Sequence, residues 1–277
     1  MLAAHFASAQ EAAQNTAARL LASLTAITAG EDGTARREAI VTQLRAAGVE
    51  PAIDSFGEGR GAGANIVATL PGTGTKTIVV GAHYDRVNVG RGAVDNGGSC
   101  AVLIELVGAL KASPLSRVTL QVVFFDREES GLLGSRAFVA ATKRRPDYAL
   151  NLDVFAYGDT IFATASQPAG LLLESLRATG EVTGLPVRDV PRTSYPSSDH
   201  LTMMNAGIDT LGIALIDAAD VEAILSIGAG RLKPGSGPRV LTIIHTPNDT
   251  LDKARPDQIA RGVAFVEQLV RMIDGAS

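Results

Sequence analysis

Short apolar segments alternate with helical patterns along almost the whole chain, and this alternation constrains the fold more than any other feature. Residues 77–81, 117–125 and 209–216 are apolar and rich in β-branched side chains. Runs of this kind are typical of strands that are buried on both faces of a sheet. Strands that alternate with helices predict an α/β fold, with a mixed, mostly parallel central sheet and helices on both of its faces.

The other elements follow from the same patterns. Further strands are predicted at residues 49–56, 65–70, 148–155, 160–165 and 240–244. Helices are predicted at residues 11–27, 34–47, 99–111, 132–142, 169–179, 201–206, 220–227 and 257–273. Thr34 fits a helix N-cap, and Gly48 fits the stop that follows. Residues 217–238 are expected to be an insertion near a cleft. Because no linker or internal repeat interrupts the pattern, residues 1–277 are predicted to form a single domain.

The composition excludes several classes of partner and of metal site. A net charge of −4 without a basic block argues against nucleic acid or an anionic membrane as the main partner. No apolar run is expected to reach the roughly 18–20 residues of a membrane helix. The single cysteine, Cys100, excludes an internal disulfide and a thiolate-based zinc site, and it is expected to be buried. Nothing in the sequence indicates an oligomeric state.

The N-terminal residues bear on localisation. They lack the basic region and the full apolar region of a signal peptide. The chain is therefore expected to be cytoplasmic, or secreted if its N-terminus has been trimmed.

Acidic and imidazole side chains collect where the predicted strands end. They are His83 and Asp85, then Asp95, then Glu128 and Glu129, then Asp153, and finally His245. Sites in α/β sheets form at the carboxyl ends of strands. Each group alone has an ordinary explanation as a solvated pair, a cap or a core histidine. Adjacent carboxylates near a core repel one another unless a cation is present, so the whole set indicates a metal site.

The number of these groups suits two metal ions. Two imidazoles, a central aspartate, one glutamate and one further aspartate can hold two zinc ions that share a carboxylate. Two metals roughly 3.5–4 Å apart activate water and stabilise a tetrahedral intermediate. One more carboxylate is needed as general base, and Glu128 is available.

Several motifs, in chain order, resemble the M28 family of metallo-aminopeptidases: HYD with GAVDNGGS, FFDREESGLLGS, NLD, SSDH and HTPNDT. The resemblance extends from about residue 78 to residue 251. It implies the α/β zinc-exopeptidase fold and two zinc ions per chain. It also implies a hydrolase that removes N-terminal residues, with a peptide or a small amide as substrate.

The resemblance also implies the metal ligands. His83 and Asp153 would bind one zinc ion, and Glu129 and His245 would bind the other. Asp95 would bridge both ions.

Two further roles come from the same resemblance. Glu128 would be the general base, and Asp85 would fix the orientation of the His83 ring. The family often has a cis peptide bond directly after the bridging aspartate, so Asp95–Asn96 is expected to be cis.

Four other residues match less clearly. Asp199 and His200 are expected to contact the metal ligands rather than the metal ions. Tyr195 could reach the substrate carbonyl, as an aromatic hydroxyl does in some members. Arg127 stands where relatives often have a small residue, and it could change access to the site.

Other functions stay open on the same fold. Glutaminyl cyclases use one zinc ion for an intramolecular acyl transfer, and small-molecule amidohydrolases are a related possibility. The presence of all five ligand positions favours two metals, and the chain has no tryptophan, in which cyclase pockets tend to be rich. A non-catalytic binding domain would usually have lost ligands or the base.

Overall fold

The computed structural model describes residues 2–231 and 235–277, with side chains described from residue 14 onwards. The strands are β1 (Ala52–Phe56), β2 (Gly63–Leu70), β3 (Thr77–His83), β4 (Thr119–Phe125), β5 (Tyr148–Phe155), β6 (Thr160–Ala165), β7 (Val187–Val190) and β8 (Asp209–Ile216). The helices are α1 (Leu2–Ala29), α2 (Gly33–Ala46), α3 (Gly98–Ala112), α4 (Leu133–Ala141), α5 (Leu171–Thr183), α6 (His200–Asn205), α7 (Ala218–Gly228) and α8 (Pro256–Ala276). These elements confirm the predicted α/β class.

The described strands form one mixed sheet in the order β1-β2-β4-β3-β5-β8-β6-β7. The four central strands β4, β3, β5 and β8 are parallel. Antiparallel pairs join β1 to β2, β2 to β4, and β6 to β8. Because the central strands run in the same direction, their carboxyl ends meet at one edge of the sheet.

Apolar side chains are buried on both faces of this sheet, as predicted. Within β3, Ile78 and Val80 pack into the larger core, together with residues of α1, α2, α3, α5 and α8. Val79 points to the opposite face, where it packs in a smaller core with Phe138 of α4 and Met203 of α6. This alternation is the two-residue period of a strand, and it explains why β3 is apolar at nearly every position.

Three predicted details differ from the structure. Helix α2 is capped by Asp32 rather than Thr34, because the Asp32 carboxylate accepts a hydrogen bond from Ala35 N at 2.8 Å. Strand β7 was not predicted, since it is a four-residue edge strand with two charged residues. The predicted strand at residues 240–244 is wrong.

In its place lies a 3-10 helix, Arg239–Thr242, followed by irregular backbone. Val240 and Ile243 are buried, whereas Leu241 is exposed. Burial at every third residue fits a 3-10 turn, in which side chains three apart share a face.

Residues 93–112, which combine a turn with α3, correct the expectation that no apolar run reaches the length of a membrane helix. Ala93–Ala112 is long and apolar enough by composition to cross a membrane. The apolar character of this stretch is explained by the core, because 83% of its 18-residue apolar segment is buried inside the fold. Cys100 lies in this helix and is buried, as predicted.

Candidate metal centre

The carboxyl ends of β3, β4 and β5 bring distant parts of the sequence together. His83 is the last residue of β3 and pairs with Phe125, the last residue of β4, so the loop after β4 starts beside it. Asp153 lies near the end of β5. Asp95 lies in the turn that leads into α3, and its peptide bond to Asn96 is cis, as expected.

The candidate ligands form two groups that share Asp95. His83 Nε2 lies 3.1 Å from Asp95 Oδ1 and 3.5 Å from Asp153 Oδ1. His245 Nε2 lies 3.1 Å from Asp95 Oδ2 and 3.2 Å from Glu129 Oε2. Each carboxylate oxygen of Asp95 therefore faces a different imidazole.

This donor set fits zinc. Zinc bonds of 2.0–2.2 Å to nitrogen and oxygen place two ligands of a tetrahedral ion about 3.3 Å apart, which is the spacing found in both groups. Glu129 Oε1 and Asp153 Oδ1 are buried and have no hydrogen-bond partner among the described residues. A buried carboxylate oxygen without a partner is costly, and a cation would satisfy it.

The ionisable groups are strongly perturbed. Burial opposes the charge on His83, but the adjacent carboxylates of Asp153, Asp85 and Asp95 outweigh this effect and raise the pKa of His83 well above its ordinary value. A hydrogen bond to Asp95 raises the pKa of His245 to about 9. Burial raises the pKa of Glu129 to about 7. The five carboxyl groups of the centre, those of Asp85, Asp95, Glu128, Glu129 and Asp153, outnumber its two imidazoles, and a bound cation would supply positive charge.

An apolar cavity of about 390 Å³ opens directly beside these ligands. Glu128 lines it together with His83, Asp95, Asp153 and His245. The rest of its wall is largely apolar and includes Phe162, Ala214, Ile216, Ile224, Ile227, Val240, Leu241 and Ile244. A mostly apolar pocket with a few converging polar groups is the usual form of a small-ligand site.

A sequence model of Peptidase family M28 matches residues 65–270. The chain belongs to this family. A probable leucine aminopeptidase of Arthroderma otae is 28% identical over 217 residues, which cover 73% of this chain and 55% of that protein. The chain thus spans about half the length of this relative.

Solved structures have the same fold. BSAP, a zinc aminopeptidase from Bacillus subtilis, superposes with a TM-score of 0.62 at 25% identity, covering 76% of this chain and 49% of that one. Porphyromonas gingivalis glutaminyl cyclase superposes with a TM-score of 0.70 at 19% identity, covering 96% of this chain and 98% of that one.

In this M28 chain, Asp85 connects the His83 ring to the loop that carries both glutamates. Asp85 Oδ1 lies 3.3 Å from His83 Nδ1. The same carboxylate accepts hydrogen bonds from Glu128 N at 3.0 Å and from Glu129 N at 3.2 Å. One buried side chain therefore fixes the ring and the glutamate loop relative to each other.

The four other residues of the resemblance, Tyr195, Asp199, His200 and Arg127, lie at different places. Tyr195 lines the cavity and packs against Phe162, with ring centroids 4.8 Å apart. Asp199 and His200 are fully buried and are not part of the cavity wall. Arg127 has a left-handed backbone with φ of 61°, and its Nε donates to Ala62 O at 3.1 Å. It therefore lines a separate groove beside Asp85 rather than the apolar cavity.

Sequence reasoning missed two residues that shape the centre. The buried Asp249 carboxylate accepts hydrogen bonds from Val94 N at 2.7 Å and from Asp95 N at 3.1 Å. Its position within the HTPNDT motif is a sequence signal that indicates a role near the centre.

The second is Arg36 of α2, which is fully buried. Its guanidinium donates to Tyr84 O at 2.6 Å, Arg91 O at 2.9 Å and Gly92 O at 3.2 Å. These carbonyls flank His83, Asp85 and Asp95. No sequence signal indicates this role, because the acceptors are backbone atoms that only the tertiary fold brings together.

Proposed function

We propose that this chain is a zinc-dependent aminopeptidase that holds two zinc ions and removes N-terminal residues from peptides. The observation that carries this proposal is the pair of ligand groups sharing Asp95 beside an apolar cavity. Membership of peptidase family M28 and the aminopeptidases among its relatives support the reaction class.

Five residues would hold the metal ions. His83 and Asp153 would bind one zinc ion, Glu129 and His245 the other, and Asp95 both. Bound zinc supplies a Lewis acid for the scissile carbonyl and lowers the pKa of water.

Glu128 is the proposed proton carrier. Its backbone is fixed by Asp85, and its side chain lines the cavity beside the ligands. Burial raises the pKa of Glu128 to about 8, and positive charge beside it would lower this value towards the working range of a general base. Its carboxylate would take a proton from water and deliver it to the leaving amine.

The apolar cavity would receive the side chain of the N-terminal residue. Burying a leucine side chain contributes roughly 1.5–3 kcal/mol more than leaving it exposed. We therefore expect leucyl substrates to be preferred over alanyl substrates by about 10- to 100-fold in kcat/KM.

The test combines metal content with hydrolysis of leucyl p-nitroanilide and its N-acetylated form. We expect about two zinc ions per chain and cleavage of the unblocked substrate alone, since the reaction needs a free amino terminus. Glu128→Gln should keep the zinc and lose about 10²- to 10⁴-fold in kcat. Cleavage of both substrates at similar rates would contradict an aminopeptidase, and near-normal turnover of Glu128→Gln would contradict the assigned base.

A glutaminyl cyclase is the second candidate, because the Porphyromonas gingivalis cyclase corresponds to this chain over nearly its whole length. The two functions differ in their products from a glutaminyl peptide. A cyclase releases ammonia and keeps the peptide whole, whereas an aminopeptidase releases free glutamine. Mass spectrometry of the products distinguishes them.

A further inference from the structure

The segment that carries His245 lies outside the sheet. It includes the 3-10 helix Arg239–Thr242, and Val240, Leu241 and Ile244 from this segment line the apolar cavity. His245 follows directly, with a left-handed φ of 56°. A non-glycine residue keeps such a backbone only when its surroundings hold it there. Because this segment has no strand partner among the described residues, other contacts must fix it.

Asp220, in the first turn of α7, provides one of these contacts. Its side chain is 3% exposed. The carboxylate accepts hydrogen bonds from Arg239 N, from Val240 N at 3.2 Å, and from the Tyr157 hydroxyl. A buried carboxylate is stable only when its oxygens are satisfied, and these three donors satisfy both of them.

Tyr157 connects Asp220 to the other half of the centre. It lies two residues beyond the end of β5, the strand that carries Asp153, and it is buried. The Arg255 guanidinium lies over its ring at 5.6 Å and pairs with Asp217 at 3.3 Å. The start of α7 is therefore fixed to the end of β5.

The opposite end of the segment has a second anchor. Asp249 accepts hydrogen bonds from the backbone of Val94 and Asp95, as described above. Along the chain, His245 thus lies between two anchored points. Asp220 holds residues 239 and 240 on one side, and Asp249 is held on the other. The Asp249 anchor joins the segment to the bridging aspartate, whereas the Asp220 anchor joins it to the wall of the cavity.

We infer that Asp220 is a positioning residue that sets the place of His245 and of the outer wall of the cavity together. Ile224 and Ile227 of α7 line the same cavity as Val240 and Leu241. A displacement of the segment from α7 would therefore move a zinc ligand and widen the side-chain pocket at once. This inference rests on the proposed function.

The test uses Asp220→Asn in the full chain. The amide has nearly the same shape, but one of its ends is a donor and would face the backbone N–H groups. Three changes are expected: faster hydrogen exchange at Arg239 and Val240, about 10-fold weaker binding of one of two zinc equivalents, and an about 5-fold smaller leucyl-to-alanyl preference. Tyr157→Phe should shift the same three readouts in the same direction by less, and it tests the inference if Asp220→Asn does not fold.

Asp274→Asn is the matched control. Asp274 is also buried, and its carboxylate accepts backbone hydrogen bonds from Ser116, Arg117 and Val118 at 2.7–2.9 Å. These residues lie before the start of β4, at the end of the sheet opposite the ligands. This variant should speed exchange at residues 116–118 and leave zinc binding and substrate preference unchanged.

The outcomes separate the inference from the function. If wild type cleaves leucyl p-nitroanilide and Asp220→Asn matches Asp274→Asn in zinc affinity and substrate preference, the positioning role is wrong. If wild type cleaves no N-terminal residue, the proposed function is wrong. Exchange at Arg239 and Val240, together with zinc titration, then still decides whether Asp220 positions His245, since neither readout needs turnover.

Discussion

The two imidazoles of the centre are held in different ways. His83 ends a central strand, and its side chain is 2% exposed. His245 follows a 3-10 helix, and its side chain is 55% exposed. One half of the centre is thus part of the sheet, and the other half is brought to it by a loop segment. The sheet half is preorganised by strand pairing, whereas the loop half depends on separate anchors.

Asp95 is the residue that the two halves share, and its loss should have the largest effect. Asp95→Ala removes an oxygen from each group, so both zinc ions should bind weakly. Replacing a residue that hydrogen-bonds a metal ligand typically lowers metal affinity or activity by 10- to 100-fold. Because Asp95 is itself a proposed ligand of both ions, we expect kcat/KM to fall by at least about 10³-fold. Metal content and leucyl p-nitroanilide hydrolysis measure it.

Asp54→Ala is the control for this change, because Asp54 is an exposed residue of β1. It should keep the wild-type zinc content and rate. An Asp95→Ala variant that retained two zinc ions would exclude a bridging role.

Separate loss of each imidazole tests the difference between the halves. We expect His245→Ala to keep one zinc ion per chain at a free zinc concentration at which His83→Ala keeps none. The imidazole that remains in His245→Ala is the buried strand residue His83, and the one that remains in His83→Ala is the exposed loop residue His245. A buried strand residue loses less conformational freedom when it binds a metal, so the half that contains it should bind zinc more tightly. Dialysis against zinc buffered over a range of free concentrations measures both variants. Equal retention would show that burial does not distinguish the two halves.

This difference also decided what could be predicted from sequence. The strand that carries His83 was predicted, because residues 77–81 are apolar at consecutive positions and end at a glycine. Residues 240–244 have a similar apolar pattern, yet they form no strand. The pattern reports burial alone, and burial at every third residue is hard to distinguish from a strand in so short a run.

Two of the anchors, Asp220 and Arg36, could not be predicted for a related reason. Asp220 lies 20 positions before Val240, and Arg36 lies 48 positions before Tyr84. Both side chains bind backbone atoms. Because almost every residue type has the same backbone groups, the residues that they bind show no pattern in the sequence. Candidate ligands could be named from the sequence because acidic and imidazole side chains directly after apolar runs are unusual, and because their motifs resemble those of family M28. Asp220 and Arg36, by contrast, are an ordinary aspartate and an ordinary arginine on helices.

Arg36 is the anchor of the sheet half, so replacing it should destabilise that half of the centre. Arg36→Lys keeps the charge but loses the planar group that reaches three carbonyls. We expect the free energy of unfolding to fall by about 1.5–3 kcal/mol, the cost of losing hydrogen bonds to a charged group. Urea unfolding of the zinc-free protein measures it.

Arg45→Lys, on the same helix, is the control for Arg36→Lys. Arg45 makes an exposed ion pair with Glu50, and exposed pairs contribute little. Equal stability of both variants would show that the buried guanidinium is not an anchor.

The smallest expected effect lies away from both halves, at Asp274. Burial raises the pKa of this carboxyl, but hydrogen bonds from Val118, Ser116 and Arg117 outweigh it and lower the folded-state pKa below the ordinary value. A carboxyl with a lowered folded-state pKa contributes stability above its unfolded-state pKa, and this contribution is lost as the pH falls through the folded-state pKa. The stability difference between wild type and Asp274→Asn should therefore be constant near neutral pH and shrink below about pH 4. Urea unfolding at several pH values measures this difference. A constant difference down to pH 2 would contradict the role of the ionised carboxylate.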